Sequence, residues 1–301
     1  MKQQVLLAVA LFAAASAAVA EEKNLTRMFT VTAGGVLTVD ADGADISVSG
    51  SDATTVVVCI EARGSQQELD ELNLSAEPSS DGIRVEALRT KDRDRSGFRW
   101  GSSHPETHIN VTVPRSYRVE ARTSGGDMKL EDVAGPSRLS TSGGNLQVRR
   151  LKGDFDGRTS GGEVRIESMD GSLRAHTSGG NVLVSDIRGD VDAGTSGGDV
   201  RVARVDGRIE ARTSGGNVRC ELKGPNRGIK ATTSGGDVWL SLPKDITGTL
   251  DAQSNGGRID SDFPVSTTRR SEHRLNGQIN GGGEEIFVRT SGGTITLNTA
   301  R

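Results

Sequence analysis

Across 301 residues, 37 lysines and arginines stand against 40 aspartates and glutamates, for a formal net charge of −3. Hydrophobic residues reach 33% and aromatic ones only 3%, while glycine occupies 40 positions. That composition is poor material for one large globular core, and so small a net charge gives no ground for nucleic-acid binding.

Residues 1–20 open with Lys2, continue through an apolar stretch from Val5 to Ala18 and end on A-V-A ahead of Glu21-Glu22. This is the arrangement of a secretory signal peptide with a small-residue cleavage site. The apolar run is shorter than the ~20 residues a spanning helix needs. We therefore expect export with removal of residues 1–20, to the periplasm, the cell surface or the exterior, and no transmembrane segment afterwards.

Residues 21–115 read as an irregular β part that caps a more regular C-terminal region. The phrases G-G-V-L-T-V-D-A-D-G-A-D-I-S-V-S-G and T-T-V-V-V-C-I-E-A within Met28 to Arg63 alternate like strands but keep no strict period, as terminal repeats often do. Ser65-Gln66-Gln67-Glu68 has capping-box spacing ahead of Leu69 and Leu72, which predicts one short helix. Ile83 to Leu88 then reads as a strand. Residues 90–108 break the pattern with a charged, Gly/Ser-rich insertion. A solvated excursion is the default reading, yet Phe98, Arg99 and Trp100 combine aromatics with arginine, the composition that binding surfaces favour. These three form the first candidate binding site.

From Thr123 the phrase T-S-G-G returns at Thr141, Thr159, Thr177, Thr195 and Thr213 in steps of 18, then at Thr233 after a step of 20. A strict period of this length marks a repeat architecture whose units are completed by their neighbours. In one repeat, Val200 and Val202, then Val205, then Ile209, Ala211 and Thr213 are apolar or inward-suited, so two short strands with period-two alternation lie between glycine turns. Stacked by 18, Val200 falls in a column with Met128, Leu146, Val164, Val182, Val218 and Val238. The expected fold is an all-β parallel β-solenoid, or β-helix, with 18-residue coils over residues 116–301; an antiparallel meander ranks second. On the outside, Arg138, Asp156, Arg174, Asp192, Glu210, Lys230 and Asp251 mostly alternate in sign, as neighbours about 5 Å apart should. Another outward column holds Lys129, Arg165, Arg201 and Arg219, interrupted by Gln147 and Leu183 and ending at Trp239. This basic stripe is the second candidate site, suited to acidic glycans or lipid headgroups and weighed against a plain solvated face. Toward the end, residues 264–274 read as an insertion, and Ile295 and Leu297 continue the core rows into a closing rung.

Catalytic chemistry is not apparent. The histidines His104, His108, His176 and His273 are scattered, Pro105 disfavours a helical H-x-x-x-H metal pair, and neither a nucleophile elbow nor a phosphate loop is present. No catalytic, metal or cofactor site is expected. Cys220 falls in a core row and Cys59 in a strand-like run, which argues against a disulfide between them.

The signal-like start, Gly43-Ala44-Asp45-Ile46-Ser47-Val48, the repeated T-S-G-G-D-V and a closing I-N-G-G-G with T-S-G-G-T-I-T-L together resemble the bacterial putative-adhesin family of exported domains, over roughly Met28 to Leu297. That resemblance implies a right-handed parallel β-solenoid in the cell envelope and transfers no catalytic residues. The functional expectation is a non-enzymatic envelope module that presents a repetitive surface to cell-surface polysaccharide or an envelope protein. An accessory role in envelope-stress signalling is the alternative, and a β-helix polysaccharide lyase or hydrolase ranks below it.

Overall fold

A computed structural model describes residues 21–32, 34–90 and 105–300; the segment read as a signal peptide lies outside them. In the rung that starts at Val164, the strand Val164–Asp170 runs along one sheet, Gly171 turns the chain at φ +143°, and Leu173–His176 returns along the opposite sheet. The Thr177-Ser178-Gly179-Gly180 corner then lifts the chain to Val182–Arg188, one rung higher. Repetition builds two facing sheets of 13 and 14 strands, parallel through the regular part.

The predicted columns are real tiers. Val164, Val182, Val200, Val218 and Val238 are successive Cα partners across parallel strands. All five are buried against the matching row of the other sheet, where Leu173, Val191, Ile209 and Ile229 stack in the same way. The seam between the sheets is thin because its second row is alanine at Ala175, Ala193, Ala211 and Ala231.

The T-S-G-G corner has a specific job. Thr195 is buried, donates its hydroxyl to the carbonyl of Gly180 in the rung below at 2.8 Å, and accepts from the amide of Gly198 at 3.4 Å. That hydroxyl satisfies two backbone groups that a tight corner would otherwise bury unpaired. A Cβ at Gly198 would overlap the Gly180 carbonyl oxygen, so glycine is required there by close approach between rungs. The residue after each G-G continues the ladder. Asn181 Oδ1 accepts from the amide of Asp199 at 2.9 Å, Asp199 Oδ1 from Asn217 at 2.8 Å, and Asn217 Oδ1 from Asp237 at 2.9 Å. Either Asp or Asn supplies that acceptor, and alternating them spares adjacent tiers a carboxylate pair.

The rungs at both ends depart from sequence order. A closing rung in chain order would set Leu250 and Asp251 directly above Ile229 and Lys230. Instead Glu285–Thr290 lies between Ile229–Thr233 and Gly248–Ser254, so that Ile286 pairs with both Ile229 and Leu250, and Phe287 separates Lys230 from Asp251. Ile295–Thr299 is likewise wedged between Val238–Leu242 and Ile259–Ser261. The I-N-G-G-G phrase makes the reversal: Asn280, Gly281, Gly282 and Gly283 all have positive φ, and Asn280 Nδ2 donates to the Ile246 carbonyl at 2.8 Å. The beginning mirrors this, with Val36–Ala41 lying between Gly82–Arg89 and Arg118–Thr123.

Beyond these interleaved rungs the pairing turns antiparallel at three of the four sheet ends, while Ile259–Ser261 ends the 13-stranded sheet in parallel pairing. Glu21–Thr30 adds to Thr55–Gly64, and Leu72–Pro78 to Gly82–Arg89. At the far end the supposed insertion forms the strand Val265–Ser271, paired with Arg274–Ile279. The expected helix spans Gln66–Asp70, with the Ser65–Glu68 capping box formed and Leu69 buried beside Ala62 and Leu72. Thr107 and His108, counted with the polar insertion on composition, belong to the strand Glu106–Pro114.

Candidate binding surfaces

The basic stripe occupies one outward column of the 13-stranded sheet. Register runs from Lys129 through Gln147, Arg165, Leu183, Arg201 and Arg219 to Trp239. Local electrostatics divide it. Lys129 meets Glu131 at 3.2 Å, and Arg165 meets Glu163 at 2.9 Å and Glu167 at 3.9 Å, so positive charge is locally balanced there. Arg201 and Arg219 meet no carboxylate among the described residues. The Arg219 guanidinium instead lies 4.7 Å from the centre of the half-buried Trp239 ring, a cation–π contact. A concavity of about 390 Å³ opens among Arg201, Arg219, Trp239 and Asn298, the last on the interleaved final rung, with Glu221 also on its wall but in no ion pair with either arginine. Phe98, Arg99 and Trp100 lie outside the described residues; the chain leaves the 14-stranded sheet at Arg89 and rejoins the other at Glu106.

A second surface escaped the sequence reading. The strands Leu146–Lys152, Val164–Asp170, Val182–Arg188 and Val200–Asp206 each bend at the fifth residue, and there Arg150, Ser168, Asp186 and Arg204 stack above Asp132, which follows Met128–Glu131, all with φ between 53° and 61°. Side-chain-bearing residues hold that left-handed conformation at a cost of roughly 1–2 kcal/mol each. The bend switches inward parity, so Leu151, Met169 and Ile187 become buried one residue on, and Lys152, Asp170 and Arg188 face out again. Two rows of polar side chains thus flank a trough of about 910 Å³ that crosses the strands. The signal was present in V-R-V-A-R-V-D, where the apolar spacing slips from two to three residues.

In the first row, Arg150 donates to both oxygens of Asp132, from Nε at 2.9 Å and Nη2 at 2.8 Å. Hydrogen bonding and charge from Arg150 hold the Asp132 carboxyl down at about 2. Arg204 clasps Asp186 in the same way at 2.7 and 2.6 Å, lowering that carboxyl as well. Ser168 sits between these two pairs with no hydrogen-bond partner for its hydroxyl among the described residues.

No cluster of three or more His, Cys, Asp or Glu side chains able to hold a metal occurs among the described residues. Burial lowers the His176 pKa while Asp192, 3.5 Å away, opposes that shift. Burial pushes the Cys220 thiol up to about 12, which leaves it protonated and inert. Both Cys59 and Cys220 are free thiols.

Residues 37–298, most of the chain, match the family described as Toastrack DUF4097. The chain belongs to that family. Solved structures similar to this chain include a putative adhesin from Bacteroides fragilis, at 11% identity and a TM-score of 0.39, covering 91% of this chain and 97% of its own. Another is a putative lipid binding protein from Parabacteroides distasonis, at 11% identity and a TM-score of 0.44, covering 92% and 97%. A putative adhesin from the same organism stands at 12% identity and 0.39, covering 91% and 97%. At such values no residue role passes from them to this chain. No curated protein matches it.

Proposed function

We propose that this protein is an exported, non-enzymatic binding module of the cell envelope, and that it holds acidic polysaccharide on the outer face of its 13-stranded sheet. One observation carries this reading: Arg201 and Arg219 occupy adjacent tiers without a carboxylate partner among the described residues, beside a stacked tryptophan. Guanidinium groups that no carboxylate clasps are available for planar, charge-assisted bonding to the carboxylates of a ligand. An indole at the end of the same column offers a flat apolar face beside them. The signal-like start supports export.

Electrophoresis through gels cast with polygalacturonate or with neutral dextran tests it. Wild type is expected to be retarded by the uronate polymer only. Trp239→Ala and the double change Arg201→Ala/Arg219→Ala are expected to relieve that retardation, and a Phe98→Ala/Trp100→Ala protein reports on the loop. Wild-type retardation of both stripe variants would remove the stripe from the proposal.

A further inference from the structure

The corner trough offers what an extended polymer needs and a compact ligand does not. It runs across the strands, so each tier presents one side chain on either wall at the rung spacing of about 4.8 Å. Leu151, Met169 and Ile187 line its floor but point into the core and are at most 3% exposed. An acyl chain would therefore meet charged walls over a shallow floor, and a peptide strand would find no open sheet edge.

The walls differ in what they leave unused. Along the first, the Asp132–Arg150 and Asp186–Arg204 pairs satisfy each other's charge but still present lone pairs and N–H groups side by side, the mixture that sugar hydroxyls require. Ser168 interrupts that row. It keeps a left-handed φ of 61° without an ion pair or hydrogen bond among the described residues to offset it, although the chain places glycine at the neighbouring turn positions 153, 171 and 189. The same φ recurs at Asp132, Arg150, Asp186 and Arg204, so the stack imposes it; of the five, Ser168 is the one whose side chain is bonded to no neighbour among the described residues and stays open to a ligand. Along the second wall, Lys152, Asp170 and Arg188 are Cα partners on consecutive strands, all exposed and none in an ion pair among the described residues. Over the whole trough six cationic side chains face four carboxylates, a local positive excess on a chain whose net charge is −3.

The geometry points to this trough as the track for a linear anionic polysaccharide, its hydroxyls over Ser168 and the paired walls, its acidic groups drawn to Lys152 and Arg188. This rests on the reading of the protein as a glycan-binding module, but not on the Trp239 column, whose residues stand earlier along the same strands.

The test uses the full exported chain in the same gels, with polygalacturonate as the acidic probe, dextran as the neutral one and phosphatidylglycerol vesicles as a separate anionic surface. Lys152→Ala/Arg188→Ala is expected to weaken retardation by polygalacturonate about tenfold, since two charge-assisted contacts are removed. Ser168→Gly is expected to weaken it severalfold while leaving the melting temperature unchanged or raised, because glycine relieves the left-handed backbone. A purely structural serine would not separate those two readouts. Wild-type retardation in either variant overturns the inference, as does binding of wild type to the vesicles alone. Trp239→Ala keeps the two surfaces distinct: loss there with full retention in the trough variants sinks the trough and leaves the column standing, and the opposite pattern does the reverse.

Discussion

Arg150 sits one tier above Asp132 and grips both of its carboxylate oxygens, at 2.9 and 2.8 Å, although both residues hold left-handed backbone. The same relation recurs between Arg204 and Asp186. Four left-handed bends are thus tied two by two through ion pairs directed along the solenoid axis.

This pair sets an acid response. Asp132 titrates at about 2 in the folded chain, below its ordinary 3.8. A lowered acid contributes stability that is present above its unfolded value and is lost as pH falls through its folded value. Wild type should therefore lose melting temperature between about pH 4 and pH 2, and Asp132→Asn should lose less over that window. Thermal melts at pH 5, 3 and 2 check it; identical slopes for the two proteins would show the pair to be immaterial.

The two glycines of each corner should respond differently. Gly198→Ala drives a methyl into the Gly180 carbonyl and should cost about 3 kcal/mol or more. At Gly197 the nearest atom to an added Cβ is 3.4 Å away, so Gly197→Ala should stay within about 1 kcal/mol. Urea midpoints for the two variants decide the matter, and equal losses would contradict the close approach between rungs.

Thiol labelling reads the core directly. Cys220 is 1% exposed and its pKa is pushed up to about 12, whereas Cys59 is half-buried. Iodoacetamide on native protein should modify Cys59 alone, and both cysteines after denaturation. Native labelling of Cys220 would mean that the Val202–Cys220–Leu240 row is not sealed.

Interleaving of the final rung makes the end of the chain unusually important. Removal of residues 285–301 would strip the partner from both Ile229–Thr233 and Gly248–Ser254, exposing Ile229, Leu250, Val238 and Ile259 together. Limited proteolysis should then cut well upstream of the truncation, through residues 238–261. A fragment as resistant as the full chain would show that the preceding rungs close by themselves.

Much of the architecture was legible because it is local. Val182, Val200 and Val218 could be placed in one column from spacing alone, and the stripe from Lys129 to Trp239 followed from the same count. Which of its cations are balanced could not, since Arg165 closes on Glu163 and Glu167, whereas Arg201 makes no ion pair among the described residues although Asp199 stands where Glu163 does on its rung. The trough was missed for another reason: nothing in the identity of Arg150 or Ser168 announces a positive φ, which the closed stack imposes on them.

By itself the amino-acid sequence determined the rung: alternating apolar residues, a threonine-and-glycine corner, and a period that superposes equivalent side chains. Only the tertiary structure decided the order of the terminal rungs and the shape of the bend. The reason is that backbone ladders are generic. Any rung of matching register can pair with any other, so the placement of Ile286 between Ile229 and Leu250 depends on how the whole stack buries its ends, which no single segment records.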